Sequence, residues 1–228
     1  MLYLLFHLLT LSSLADPAVF RSKMAGFDTP LFVLLEFILA VPLVFHAFNG
    51  TRLILYESFG CRNDTHLLHW LGSLGLVYLL LLGVLMGMGS QSISPSLFGM
   101  VLLAIGLVAT AYSARKIWWT HNSRLWKIQR LSAAYLLFAL LGHMLFMHLN
   151  HAAGHQTANI LARLQLPVIQ VFYLLTVCAV LYHAVYGLSS LIRDLTASPA
   201  LRILVTLALL LSAAWLTFLG LKLIFFLA

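Results

Sequence analysis

The sequence predicts an all-α integral membrane protein of about seven transmembrane helices. Of its 228 residues, 62% are hydrophobic and 8% charged, against about 25% charged in soluble domains. Several apolar runs approach or exceed the ~20 residues that cross a bilayer. A spanning segment must satisfy its backbone hydrogen bonds internally, and the ~10-residue alternating segments of a barrel are absent, so these runs are helices. The third observation is an internal repeat. Phe45-His46-Ala47-Phe48-Asn49-Gly50 returns in the second half as Tyr182-His183-Ala184-Val185-Tyr186-Gly187, at an offset of 137 (46 to 183). Each run then ends in an acid, Glu57 or Asp194, at the matching position.

The seven segments cover 1–15, 29–56, 67–88, 97–119, 127–151, 165–192 and 201–227. Turn-rich stretches separate them: Asp16-Pro17, Gly60 to Asp64, Gly89 to Pro95, Gly154 to Asn159 and Ser198-Pro199. The first segment is too short to span alone, since its residues rise only ~22 Å. It lacks the charged start and small-residue cleavage pattern of a signal peptide. A second echo sets Leu4-Leu5-Phe6-His7 against Leu140-Leu141-Gly142-His143, at an offset of 136 (7 to 143). Gln129-Arg130-Leu131-Ser132 leads into the fifth segment, and its counterpart would fall before Met1, so a truncated first helix is expected. Segments one to three thus resemble five to seven, giving a repeat over 1–90, a connector over 91–124 and a repeat over 125–228. The connector supplies the extra crossing that lets both triplets run in the same direction, and its apolar part holds no histidine.

Basic residues set the expected orientation. With a cytoplasmic N-terminus, Arg52, Arg62, Arg115, Lys116, Arg124, Lys127, Arg130, Arg193 and Arg202 lie inside, while Arg21, Lys23, Arg163 and Lys222 lie outside. That asymmetry obeys the positive-inside rule and puts the C-terminus outside. The net charge of +7 is spread between apolar runs, which points to orientation in a lipid bilayer rather than to nucleic acid. Cys61 and Cys178 have no metal-motif spacing and read as inert side chains.

The histidines carry the chemistry. A neutral imidazole is a good iron ligand, so histidines at repeated positions in apolar helices point to haem. Gly50 and Gly187 fall one helical turn after His46 and His183, hence on the same helix face, where a missing side chain lets a flat macrocycle approach the backbone. His46 follows Pro30 and His183 follows Pro167 at the same spacing (30 to 46, 167 to 183). Both are therefore ~24 Å from the outer helix ends, in the inner half. His7 and His143 sit within ~10–12 Å of the outer face. The four sort into two tiers, His46 with His183 and His7 with His143, which predicts two haems inside a four-helix core. A single histidine in an apolar helix is more often a packed core residue; four at repeat-related positions and matched depths favour ligation. His148 competes with His143 on the same helix, although its match in the first segment is Ser12. His151 and His155 read as outer-interface residues, and His66, His69 and His121 as inner-loop residues.

At these residues the chain resembles the membrane-anchor cytochrome b of the succinate dehydrogenase and fumarate reductase family. His46 to Gly50, Thr51-Arg52 and Glu57 are similar to the larger anchor's H-x-x-x-G-x-R…D/E motif. His183, Gly187 and Asp194 are similar to the smaller anchor's H-x-x-x-G…D motif, and Gln129-Arg130-Leu131-Ser132 resembles the Arg/Ser entry to an anchor's first helix. The resemblance covers nearly all the chain except the connector. It implies two haems b, with His46/His183 holding the one proximal to an iron–sulfur subunit and His7/His143 the distal one. It also implies a flavoprotein subunit, a membrane quinone, a bacterial inner (cytoplasmic) membrane, and an anchor that does not itself oxidise succinate. Leu195 follows Asp194 where some members carry a quinone-pocket tyrosine.

Glu36 is the one acid well inside an apolar run, where an ionisable group costs ~2.5–3.5 kcal/mol on insertion scales, so it is a candidate proton site beside an interfacial-carboxylate reading. Arg52, Arg130 and Arg193 sit at inner helix ends, where they could pair with haem propionates, line a quinone pocket or anchor the helices. Arg52 and Arg130 are favoured, with Ser132 as a quinone hydrogen-bond donor. Trp118, Trp119 and Trp126 mark the inner interface or a docking surface for the iron–sulfur subunit. Two rival functions remain: the cytochrome b anchor of a hydrogenase or formate dehydrogenase, and a proton-coupled transporter. A transporter would need broken helices around a midplane site; the His-bearing helices have only Pro42 and the motif glycines as interruptions.

Overall fold

The structure, a computed structural model, describes residues 2–88 and 97–226. The turn expected over Gly89 to Pro95 lies outside them. Among the described residues the chain is helical throughout, in the order α1 (Leu2–Leu11), a 3-10 turn (Ser12–Ala15), α2 (Pro17–Phe27), α3 (Pro30–Phe59), α4 (Asp64–Met88), α5 (Leu97–Trp118), α6 (Arg124–Leu149), α7 (His151–His155), α8 (Thr157–Leu164), α9 (Pro167–Leu195) and α10 (Pro199–Phe226). Five of these, α3, α4, α6, α9 and α10, are long and apolar enough to cross a membrane. The protein is an all-α, multi-pass membrane protein.

Helix starts follow local chemistry. Pro17, Pro30, Pro167 and Pro199 open α2, α3, α9 and α10, positions where a missing N–H costs nothing and the fixed φ suits a helix. The Ser123 hydroxyl accepts from Trp126 N–H at 3.3 Å to cap α6, and Asn63 Oδ1 accepts from His66 N–H at 3.1 Å to cap α4. Gly60 ends α3 at φ 71°, a left-handed conformation that only glycine adopts without strain. α3 continues through Pro42.

Three short helices occupy stretches expected to be turns or loops. α2 forms because Asp16 Oδ1 accepts from the amides of Ala18 (2.9 Å) and Val19 (3.3 Å). Asn150 opens α7 in the same way, its Oδ1 accepting from Ala153 N–H at 3.2 Å. α8 buries Ile160 and Leu164, one turn apart on one face. These helices gain their stability from caps and a small buried face rather than from a long apolar period.

The chain divides into two compact units, 24–155 and 1–23 with 156–228. In the first, α3 packs along α4, and α6 packs against α3, α4 and α5. Its cores are Ala40, Leu82 and Met86 with Phe37, Tyr78, Met144 and Leu145 around them, and, separately, Ile54, Ile117 and Ala134. In the second unit α9 packs along α10, and α1 packs on α10. Its core joins Leu8 to Leu181, Leu216, Leu219 and Leu223, with Val177 against them.

The two cores use corresponding residues. Ala40, Leu82 and Met86 match Val177, Leu219 and Leu223 at the offset that takes His46 to His183, and Leu8 matches Met144 at the offset that takes His7 to His143. Close helix contacts correspond as well. A Cβ on Gly83 would stand 3.1 Å from Phe37, and one on its counterpart Gly220 would stand 3.3 Å from Val177. Small residues at helix contacts are what membrane packing requires, because lipid provides no hydrophobic drive between helices. Facing outward are large apolar side chains such as Phe45, Leu31, Val168 and Leu211, the surface a bilayer solvates.

Candidate functional site

Each of the four histidines expected to bind iron lies on a helix. His46 is on α3 and His143 on α6, within the unit 24–155; His7 is on α1 and His183 on α9, within the other. His46 is exposed beside a bare stretch of helix: a Cβ on Gly50 would meet nothing within 4 Å among the described residues. Gly142, next to His143, is equally open. The His7 ring is also exposed and lies parallel to Tyr3, their centroids 6.2 Å apart. Open glycine surface one turn from an imidazole on an apolar helix lets a flat macrocycle approach closely, so His46 with Gly50 fits haem.

The cations at the same end of α3 and α6 are held by acids of the chain itself. Arg52 Nη1 donates to Asp64 Oδ2 at 3.0 Å and Oδ1 at 3.2 Å, tying α3 to the start of α4. Its Nε is buried with no hydrogen-bond partner among the described residues. Such a donor suits an anionic oxygen, including a propionate. Arg130 grips Glu57 with two bonds, Nε to Oε2 at 2.8 Å and Nη2 to Oε1 at 3.0 Å. Its guanidinium also lies 5.1 Å from the Trp126 ring centroid. Both arginines were expected to address a ligand; the structure gives part of each to a carboxylate and leaves Arg52 Nε and Arg130 Nη1 outside those bonds. Ser132 is buried, and its hydroxyl donates to Gln129 O at 2.8 Å.

Beside them, Lys127 Nζ donates to Trp118 O at 2.8 Å and stands over the Trp118 ring. That fastens α5 to α6 and places a cation at a helix C-terminus. Trp119 is 78% exposed, in keeping with an interfacial or docking position. At the level of Gly142, Tyr78 Oη donates to Leu141 O at 2.7 Å and links α4 to α6.

A second polar group of this unit was not assembled from the sequence. Glu36 Oε1 lies 3.7 Å from His148 Nε2, so the expected acid of α3 faces the histidine that competed with His143. Asp28 Oδ1 lies 3.0 Å from His155 Nε2 and 3.9 Å from His151 Nε2. The two imidazoles stack, with centroids 3.6 Å apart. Burial first, then the neighbouring His155, lower the His151 pKa below its ordinary value, while Asp28 pulls the other way. The legible signal was the one-turn spacing of His151 and His155; their pairing with Asp28, far away in sequence, was not readable.

The model of the family described as "Succinate dehydrogenase/Fumarate reductase transmembrane subunit" matches residues 1–85 and 109–221. Over 88 residues the chain is 33% identical to the "Succinate dehydrogenase 2 membrane subunit SdhC" of Mycobacterium tuberculosis, an alignment of 37% of this chain. The chain spans 65% of the length of that curated relative. No solved structure matches it significantly. With most of its length matched, the chain belongs to the succinate dehydrogenase/fumarate reductase transmembrane subunit family.

Proposed function

We propose that this protein is a dihaem, quinone-reactive cytochrome b anchor of a succinate:quinone or quinol:fumarate oxidoreductase. Anchors of this family generally bind haem b and pass electrons to quinone. The observation that carries the reading is the recurrence of two independent features at one offset. The His-x-x-x-Gly motif of His46 and Gly50 returns at His183 and Gly187, and the packing contacts of Gly83 and Leu82 return in step at Gly220 and Leu219. A duplication that preserves both helix packing and the ligand motif supports two fused three-helix anchors, over 1–90 and 125–228, joined by 91–124.

His7, His46, His143 and His183 are the axial ligands in this reading. Their pairing, His46 with His183 and His7 with His143, rests on the repeat and on depth along the helices. Gly50 and Gly187 keep the helix face clear, and Arg52 Nε is available for a propionate. Haem b, when bound, supplies a one-electron store between quinone and the redox partner. Glu57 holds Arg130 at the helix end, close in sequence to Ser132, so these residues frame a quinone pocket. The partners are an iron–sulfur and a flavoprotein subunit on the cytoplasmic side, in a bacterial inner membrane with the N-terminus inside.

The test is a reduced-minus-oxidised spectrum with a haem count on the purified chain. About two b-type haems per chain are expected from four histidine ligands. His46→Ala and His183→Ala should each remove the same haem and leave the other. A haem-free chain would overturn the electron-transfer reading; one haem lost with either variant would confine it to the inner tier.

A further inference from the structure

The cluster Asp28–His151–His155 has no role in electron transfer as described, and its geometry is that of a ligand set. Asp28 sits in the turn between α2 and α3. That turn is fixed by Asp28 N–H donating to Met24 O at 3.0 Å, and by Thr29 Oγ1 donating to Gly26 O at 2.9 Å. His151 and His155 sit one turn apart on α7, a spacing that puts two imidazoles on one helix face, as in helical two-histidine zinc motifs. One ligand atom from each of the three residues lies within 4.8 Å of the other two. Zinc bonds of about 2.0–2.2 Å in a tetrahedron need ligand atoms about 3.3–3.6 Å apart. The distances of 3.0 and 3.9 Å from Asp28 Oδ1 to the two Nε2 atoms bracket that value.

The hydrogen bonding decides which nitrogen is presented. His155 Nδ1 lies 3.1 Å from the carbonyl oxygen of His151, and in the tautomer that donates to that carbonyl the Nε2 lone pair is left to face outward. Imidazoles that bind metal typically fix their tautomer this way, giving the other ring N–H to a backbone carbonyl. Nε2 of His155 then faces a carboxylate oxygen at 3.0 Å. In that tautomer the Nε2 lone pair and the carboxylate oxygen can both be given to one metal ion. His151 brings a second imidazole face to face with His155, centroids 3.6 Å apart, so the two rings converge on a shared ion once one of them turns about its side-chain bonds.

We propose that Asp28, His151 and His155 form a binding site for a divalent transition metal of the zinc type, with the remaining position open to water. Two imidazoles and one carboxylate suit zinc and its neighbours, whereas magnesium and calcium prefer all-oxygen shells. The three side chains are a quarter to a half exposed (33%, 26% and 47%), so the site is reached from water. Bound metal would place a double charge near the Glu36–His148 pair of the same unit.

The experiment uses the full chain, purified without a histidine tag, stripped with a chelator and titrated with Zn²⁺ against a chromophoric indicator. About one equivalent should bind, unaffected by excess Mg²⁺ or Ca²⁺. Asp28→Ala and His155→Ala should each weaken binding by at least roughly ten-fold, while His121→Ala, in an exposed turn elsewhere, leaves it unchanged. Asp28→Asn, which keeps the shape of the side chain, guards against a folding defect, checked by an unaltered melting profile. Absence of stoichiometric binding, or binding indifferent to Asp28 and His155, overturns the proposal.

Discussion

The Glu57–Arg130 pair lends itself to a quantitative test, because its two residues have different numbers of partners. Arg130 meets Glu57 through two bonds of 2.8 and 3.0 Å, with side-chain exposures of 22% and 32%. An exposed ion pair couples by about 0.2–1 kcal/mol, less than a bidentate and mostly covered one. Hydrogen bonds to charged groups contribute about 1.5–3 kcal/mol when shielded. The partial exposure here argues for the lower part of that range, a coupling of about 1–2 kcal/mol. Arg130 also stacks on Trp126 at 5.1 Å, a contact of about 0.5–1 kcal/mol that Glu57 lacks. Arg130→Ala should therefore cost more than Glu57→Ala by about that amount. The assay is a double-mutant cycle of Glu57→Ala, Arg130→Ala and the double variant, with unfolding followed by circular dichroism in mixed micelles. A coupling under about 0.3 kcal/mol, within ordinary non-additivity, or a costlier Glu57→Ala, would refute the reasoning.

Other substitutions probe helix packing. Gly83→Leu and Gly220→Leu should each cost about 1–3 kcal/mol by overpacking, because a Cβ alone already stands 3.1 Å from Phe37 or 3.3 Å from Val177; alanine, which adds only that Cβ, should cost distinctly less. Melting of the purified variants checks this, and a neutral leucine at either position would contradict the close contact. Tyr78→Phe removes the 2.7 Å bond to Leu141 O. It should cost about 0.6–1.5 kcal/mol in the same assay, and a stabilised variant would show that the hydroxyl is not donating there.

Helix existence was readable, because membrane segments need length, apolarity and internally paired backbone, all local properties. Pro30 and Pro167 marked the starts of α3 and α9 as expected. The His46, His143 and His183 positions fall on long helices and His7 on a short one, as the segments predicted. Harder to read were α2, α7 and α8, because an Asp16 or Asn150 cap and a two-residue buried face on α8 carry little periodic signal. Arg52 and Arg130 were legible as cations at helix ends but not as partners of Asp64 and Glu57. An ion pair as distant in sequence as Glu57 and Arg130 depends on which helices lie side by side, and periodicity says nothing of that.

By itself the sequence determined the class, the helical segments and the recurrence of His46 and Gly50 at His183 and Gly187. Composition selects the solvent, and the solvent permits only hydrogen-bonded helices here. The tertiary structure alone decided which helices share a unit. α6 packs with α3 and α4 in one unit, and α1 packs with α10 in the other, so helices far apart in sequence share a unit. Contacts of this kind arise from small residues and shape at particular helix faces, such as Gly83 against Phe37, and uniformly apolar segments do not announce them. The same packing brings Asp28, in the turn before α3, to His151 and His155 on α7, a meeting that sequence order does not announce.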